Sequence, residues 1–204
     1  MTTRIRSGIV GAGYVSEFHI RGLQRMPHVE IAAICDADLA RAQATADKLG
    51  CAAFASVDEM LAAGLDVVHV ATPPHTHAAI TTQALEAGCH VFVEKPLATS
   101  VEDCRAIAET AKRVNKKVCV CHSLLRDPFV VEALAVVKSG AIGDIMTFDY
   151  LRSTEFPPYA GGPLPPQYRA GGYLFRDIGV HALYLMQEFL GPIDTVTTRF
   201  DGTG

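Results

Sequence analysis

The stretch Ile5–Ser16, IRSGIVGAGYVS, most constrains what this chain can become. It reads as a short apolar strand, a glycine turn and the start of a helix. Gly11-Ala12-Gly13-Tyr14-Val15-Ser16 fits a dinucleotide-binding fingerprint, with Gly11, Gly13 and Ser16 at its three defining positions. Gly11 permits the tight turn. Gly13, lacking Cβ, lets a pyrophosphate approach the backbone, and the small Ser16 allows close helix–strand packing. Ser at that third position departs from the usual Gly or Ala. The amides opening the helix face an anion with the helix dipole behind them. A second strand, Glu30–Cys35, ends in Asp36, 20 positions after Ser16. That spacing suits a carboxylate that accepts hydrogen bonds from an adenosine ribose; the alternative is a strand-end turn residue.

Strands and helices alternate through the first two-thirds of the chain. Asp38–Leu49 reads as a helix, capped by Asp38 and stopped by Gly50. Ser56-Val57-Asp58-Glu59 is a capping box opening a short helix. Asp66–Ala71 is a buried strand that ends at Thr72-Pro73-Pro74, and a helix follows from about Thr76 to Ala87. His90–Val93 is a strand running into Glu94-Lys95-Pro96. Ser100 to Asp103 caps a helix reaching Asn115, and Lys117–Cys121 is the sixth strand. This alternation implies a parallel sheet covered on both faces, with ligands at the carboxyl ends of its strands. Those ends carry Gly11–Ser16, Asp36, Thr72-Pro73, Glu94-Lys95-Pro96 and His122.

The character changes near Gly140. A helix over Pro128–Ser139 leads to an alternating strand, Asp144–Arg152, and a Pro- and Gly-rich loop, Ser153–Tyr173. A helix over Asp177–Leu190 and a strand over Ile193–Phe200 follow. Asp201-Gly202 is a hairpin signal, so another strand is expected to follow and the chain reads as a piece of a longer protein.

Hydrophobic residues make up 49% and charged residues 20%, enough for a real core. A net charge of −4 gives no basic footprint for nucleic acid, and no apolar run is long enough to span a bilayer. The absence of a signal-peptide pattern and the six scattered cysteines point to free thiols in a reducing cytoplasm. Cys119-Val120-Cys121 has no companion ligands at metal-binding spacing, nor do the eight histidines, so no metal is expected.

With these segments placed, the chain resembles the glucose–fructose oxidoreductase/inositol dehydrogenase (Gfo/Idh/MocA) family. The motifs are GAGYVS at Gly11–Ser16, CD at Cys35-Asp36, ATPPHTH at Ala71–His77, AGCHVFVEKP at Ala87–Pro96 and GGYLFRDIGVH at Gly171–His181. Tyr184 departs from the pattern, since many members carry Asp there. The resemblance implies an α/β fold. A Rossmann doubly wound parallel sheet would occupy 1–125. Residues 126–204 would begin an α+β substrate and oligomerisation domain with a mostly antiparallel sheet. It implies an NAD(P)-dependent oxidoreductase acting on a hydroxyl or carbonyl carbon of a sugar or cyclic polyol. A homo-oligomer formed through the complete C-terminal sheet is also expected. The same resemblance admits two rivals: a non-catalytic dinucleotide-binding sensor or scaffold, and a biliverdin-reductase-like double-bond reductase.

The candidate catalytic residues are Lys95, Asp177 and His181. An ammonium at Lys95 can stabilise alkoxide charge. Asp177 and His181, four apart, share a helix face, and the pair can orient an imidazole for proton exchange. The alternative for Lys95 is a surface lysine, which its place at the strand end before Pro96 argues against; without the resemblance, Asp177 reads as a helix cap and His181 as an unrelated packed histidine. The candidate cofactor residues are Gly11, Ala12, Gly13, Tyr14, Val15, Asp36, Ala71, Thr72, Pro73, His77, Glu94 and Lys95. Thr72 and Pro73 resemble nicotinamide-side contacts, or simply end a strand; His77 either caps the next helix or approaches the cofactor. His122 and Arg126 could touch either ligand, with a salt-bridged Arg126 the alternative; Tyr168-Arg169 resembles a pair in the substrate loop or is solvated loop, with no catalytic role assigned; and His19 reads as structural. Asp36 favours NAD, and Arg41 one turn further on leaves NADP open.

Overall fold

The strand segments of the first part pair into one six-stranded sheet: β1 (Ile5–Val10), β2 (Val29–Cys35), β3 (Ala52–Phe54), β4 (Val67–Val70), β5 (His90–Val93) and β6 (Val118–Val120). All pairings are parallel, in the order β3-β2-β1-β4-β5-β6. This is the doubly wound arrangement, with its switch point between β1 and β4. Register sets the position of the site. Val10 lies opposite both Cys35 and Val70, Val70 opposite Val93, and Val93 opposite Val120. The strands therefore finish level, and the residues after them share one edge. The computed structural model describes residues 4–152 and 175–199. The chain divides into two compact units, Met1–Cys121 and His122–Gly204.

Five helices cover the sheet: α1 (Ser16–Gln24), α2 (Leu39–Leu49), α3 (Val57–Leu61), α4 (Pro74–Glu86) and α5 (Val101–Arg113). Alternation in β1 divides the core. Ile9 packs with Ile34, Ile20, Leu23, Ala42 and Ala46, whereas Val10 joins Val70, Val93, Leu85 and Ile107. Burial on both faces explains why the strands read as near-continuous apolar runs. Asp38 and Ser100 cap α2 and α5 through their side chains. The capping box at Ser56 does not form, since Ser56 makes no side-chain cap bond; the neighbouring Asp58 accepts from Gln83 of α4. α4 begins at Pro74, earlier than expected, because proline suits the first helical turn. β3 has three residues, too few for a periodicity signal.

In the second unit a 3₁₀ turn (Ser123–Arg126) precedes α6 (Pro128–Lys138), and a π turn (Phe175–Gly179) runs into α7 (Val180–Leu190). Lys138 pairs with Glu188 at 3.1 Å, and the Phe148 and Phe189 rings lie 5.4 Å apart. The expected strands Asp144–Arg152 and Ile193–Phe200 are not observed: residues 144–152 and 193–199 are irregular. Alternation marks a segment able to half-bury one sheet face, but a strand needs a ladder partner, and among the described residues neither segment has one. Met146, Leu151 and Val196 are accordingly exposed. The Ser153–Tyr173 loop, Tyr168-Arg169 and the Asp201-Gly202 turn lie outside the described residues. No described helix is long and apolar enough to cross a membrane.

Candidate active site

The glycine loop follows β1 and leads into α1. Gly11 has φ +95°, and a Cβ there would come within 2.5 Å of the Ala71 carbonyl oxygen. Only glycine meets both conditions. A Cβ at Gly13 would instead meet nothing within 4 Å, so the loop is open on that side. α1 begins with no capping side chain, which leaves its amino end suited to an anion. Ser16 is buried and donates to the Gly13 carbonyl at 2.5 Å. Tyr14 and Val15 are exposed at the loop tip. These features fit a dinucleotide pyrophosphate.

Asp36 does more than end β2. Its carboxylate accepts from the Ala12 amide at 2.8 Å and the Asp38 amide at 2.9 Å, so it ties the glycine loop to the next turn. Both readings of Asp36 are compatible, because a carboxylate offers about four lone-pair directions and these bonds use two. Arg41 stands 3.7 Å from Asp36 and 3.4 Å from Asp38, engaged by both.

At the ends of β4 and β5, His77 joins two loops. It is fully buried, and its ring nitrogens lie 2.7 Å from the carbonyl oxygens of Thr72 and Pro96. Thr76 donates to the Thr72 hydroxyl at 2.7 Å. His77 thus holds the Ala71-Thr72-Pro73 and Glu94-Lys95-Pro96 segments together from inside the protein.

Glu94 turns inward, with its side chain 17% exposed. One oxygen lies 3.0 Å from His19 Nε2; the other accepts from the Lys95 amide at 3.2 Å. The Cys121 thiol lies beside the same carboxylate, its sulfur within 4.8 Å of it. Behind it, His19 Nδ1 lies 2.9 Å from His69 Nδ1. A carboxylate only accepts, so His19 Nε2 carries a proton. In the neutral ring Nδ1 then accepts from His69 Nδ1–H, and the network runs one way, from His69 through His19 to Glu94.

Burial acts to raise the Glu94 pKa, but the hydrogen bonds from His19 and Cys121, the His19 field and the Lys95 amide outweigh it and hold the carboxyl below its usual range. Burial, then Glu94's charge and hydrogen bond, push the Cys121 thiol up to about 12. Burial, helped by His19, lowers the His69 pKa to about 4. At His69 the unfolded state therefore binds a proton that the folded state does not between about pH 6.5 and 4, and this contribution to stability is lost as pH falls through that window. The loss at pH 4 is expected to be on the order of 3 kcal/mol. Urea unfolding from pH 7 to 4 checks this: His69→Leu should flatten the slope, and an unchanged slope would remove His69 as its source.

The second unit carries the remaining candidates. Asp177 lies in the π turn and His181 at the start of α7. A π turn closes i→i+5 bonds, so these residues are not a simple α-helical i,i+4 pair. The partner that sequence reasoning missed is Tyr184. Its hydroxyl lies 2.6 Å from His181 Nδ1, accepts from the Leu124 amide at 3.2 Å, and its ring stacks on His122 at 4.3 Å. Burial lowers the His122 pKa. The i,i+3 spacing of His181 and Tyr184 was the available signal. A surface cleft of about 590 Å³ beside Arg4, Met26, Glu30 and Gly50 contains none of these groups. It opens at the amino ends of β1 and β2, opposite the edge where doubly wound sheets bind ligands.

The oxidoreductase-family model with an NAD-binding Rossmann fold matches residues 5–122, and the GFO/IDH/MocA C-terminal domain model matches residues 130–203. The chain belongs to the Gfo/Idh/MocA family. By that membership residues 5–122 are an NAD-binding Rossmann domain. Among relatives of this Gfo/Idh/MocA chain, the D-glucoside 3-dehydrogenase of Escherichia coli K12 is 34% identical over 194 residues, covering 92% of this chain and 54% of that protein. The inositol 2-dehydrogenase of Rhizobium meliloti is 28% identical over 197 residues, covering 95% and 58%. The solved structure of GenD2 from gentamicin A biosynthesis, in complex with NAD, has a TM-score of 0.80 at 27% identity, covering 94% of this chain and 55% of that one. The chain spans about half the length of these relatives.

Proposed function

We propose that this Gfo/Idh/MocA chain serves hydride transfer between NAD(H) and a hydroxyl or carbonyl carbon of a sugar or cyclic polyol. The observation that carries the reading is the level carboxyl edge of the sheet. There the open glycine loop, Asp36 and the anchored Glu94-Lys95-Pro96 segment stand together. Sugar and inositol dehydrogenases among the relatives support the substrate class.

In this reading Gly11, Ala12, Gly13, Tyr14 and Val15 hold the pyrophosphate, and Asp36 receives the ribose hydroxyls. Ala71, Thr72 and Pro73 border the nicotinamide side. His77 and Glu94 act from within, fixing the two loops that carry Thr72 and Lys95. When bound, NAD supplies the hydride acceptor or donor. Lys95 hydrogen-bonds the substrate oxygen and stabilises alkoxide charge as it develops. His181 accepts the hydroxyl proton at Nε2 during oxidation. With Nδ1–H donated to the Tyr184 oxygen, Nε2 keeps the lone pair this task needs. Asp177 helps orient the imidazole. Residues 1–125 form the dinucleotide module, and 126–204 contribute to the substrate side.

The test is NADH formation across a panel of aldoses, glycosides and inositols, read by absorbance. Turnover with a polyol supports the reading, and NAD binding without turnover on any of them in a form spanning the relatives' full length would favour a sensor. NAD(H) is expected to bind more tightly than NADP(H), because a 2′-phosphate would face the Asp36 carboxylate. Calorimetric titration of both cofactors decides this. Asp36→Ala should move the ratio toward NADP(H) while weakening both, since it also releases the Ala12 amide. Equal affinities in the parent would refute the Asp36 argument.

A further inference from the structure

We propose that His19, Glu94 and Cys121 form a binding site for a borderline divalent cation of the zinc class. An imidazole nitrogen, a carboxylate oxygen and a thiol sulfur converge here, and the three ligand atoms all lie within 4.8 Å of one another. These are the donor types zinc takes. Tetrahedral coordination with bonds of about 2.0–2.3 Å sets such atoms about 3.3–3.7 Å apart. The His19–Glu94 contact, now 3.0 Å, has to open slightly, and the thiol, within 4.8 Å of both partners, has to settle at the same spacing. Three protein donors leave the fourth position for water.

The surroundings fit the same chemistry. A metal-bound imidazole needs its second nitrogen held by a partner, and His19 Nδ1 already lies 2.9 Å from His69 Nδ1. Charge also balances. A doubly charged cation with the Glu94 carboxylate and the Cys121 thiolate sums to zero beside a neutral His19. In the metal-free network the same largely buried carboxylate is held by its contacts with His19 and the Lys95 amide, and a bound cation would add direct charge compensation. Both His19 and Glu94 are well covered, and Cys121 is half-buried, which leaves a route of entry.

Binding breaks the Cys121 S–H bond, the sulfur pair goes to the metal, and the proton leaves to water. The metal takes the His19 Nε2 lone pair. The ring's proton is then carried on Nδ1 and donated to His69 Nδ1, whose own proton is carried on its Nε2. One proton is released per ion. The bound ion would join the end of β5, which carries Lys95, to α1 and to the residue after β6. Linear spacing hides the site, because its members lie at positions 19, 94 and 121.

The test uses the reduced 204-residue protein, titrated anaerobically with cobalt(II), whose thiolate charge-transfer and tetrahedral d–d absorption report the ligand set. Saturation at one ion per chain with a thiolate band, reversed by zinc, is the expected result. Cys121→Ser should abolish the thiolate band. His19→Gln retains an acceptor toward His69 and a donor toward Glu94, so it preserves the hydrogen-bonded arrangement without the imidazole ligand. It should weaken binding by at least about tenfold, the lower end of the loss when even an outer partner is removed. No saturable band, a band surviving Cys121→Ser, or binding untouched by His19→Gln would each overturn the proposal and leave a purely hydrogen-bonded network.

Discussion

Alanine at Lys95 or at His181 is expected to lower turnover by about 10²–10⁴, the range for losing a proton-transfer or charge-stabilising group. NAD(H) affinity should stay within a few-fold of the parent in both variants. The separation follows from position. The pyrophosphate and ribose contacts belong to the loop after β1 and to Asp36, whereas Lys95 follows β5 and His181 opens α7. Neither removal touches the Asp36–Ala12 tie or the Gly11 turn. Lys95→Arg should not restore the rate, because a planar guanidinium cannot reproduce a compact ammonium on the Glu94-anchored segment. Tyr184→Phe gives an intermediate case. It keeps the ring stacked on His122 but deletes the hydroxyl 2.6 Å from His181. Its loss should be smaller than that of His181→Ala and should alter the pH profile of kcat, since the orientation of Nδ1 is changed but the base is kept. Steady-state kinetics with calorimetric cofactor titration separates these effects. Ordinary turnover after Lys95→Ala or His181→Ala would remove that residue from the reacting oxygen.

Sequence legibility followed the range of the interactions. Gly11, Asp38, Ser100 and the strand-end position of Lys95 were readable because turns, caps and strand ends are decided within a few residues. The inward turn of Glu94 was not. It depends on His19, 75 residues away, and on His69, which lies behind His19 and 50 residues from it. No periodicity encodes that pairing; only the level register of β1, β4, β5 and β6 brings it about. His77 was read as a cap or a cofactor neighbour, while its burial makes it a tie between two loops. Tyr184 was visible only as a departure from a motif, although it lies one turn from His181. The alternating residues of 144–152 carried a strand signal that needed a neighbouring strand to become structure, because pairing is a property of two segments.

Gly11→Ala and Gly13→Ala are expected to fail in different ways, and the contrast locates the pyrophosphate. At position 11 a methyl group would lie 2.5 Å from the Ala71 carbonyl oxygen and 2.8 Å from its carbon, with φ at +95°. Both neighbours are backbone and cannot rotate away. The strained φ and the overpacking together should cost about 2–5 kcal/mol and pull β1 from β4 at the switch point. Thermal unfolding should shift down, and NAD(H) binding should be lost with it. At position 13 the same methyl group meets no protein atom within 4 Å, and the backbone has no positive φ. Stability should therefore stay within about 0.5 kcal/mol, and glycine-to-alanine entropy favours the variant slightly. NAD(H) affinity should nonetheless fall by at least about tenfold, because the space the methyl group fills is the space through which a pyrophosphate reaches the loop amides. Calorimetric titration of NADH beside a thermal melt reads both quantities on each variant. A Gly13→Ala protein that binds NADH as tightly as the parent would place the pyrophosphate elsewhere, whatever Gly11→Ala does to the fold.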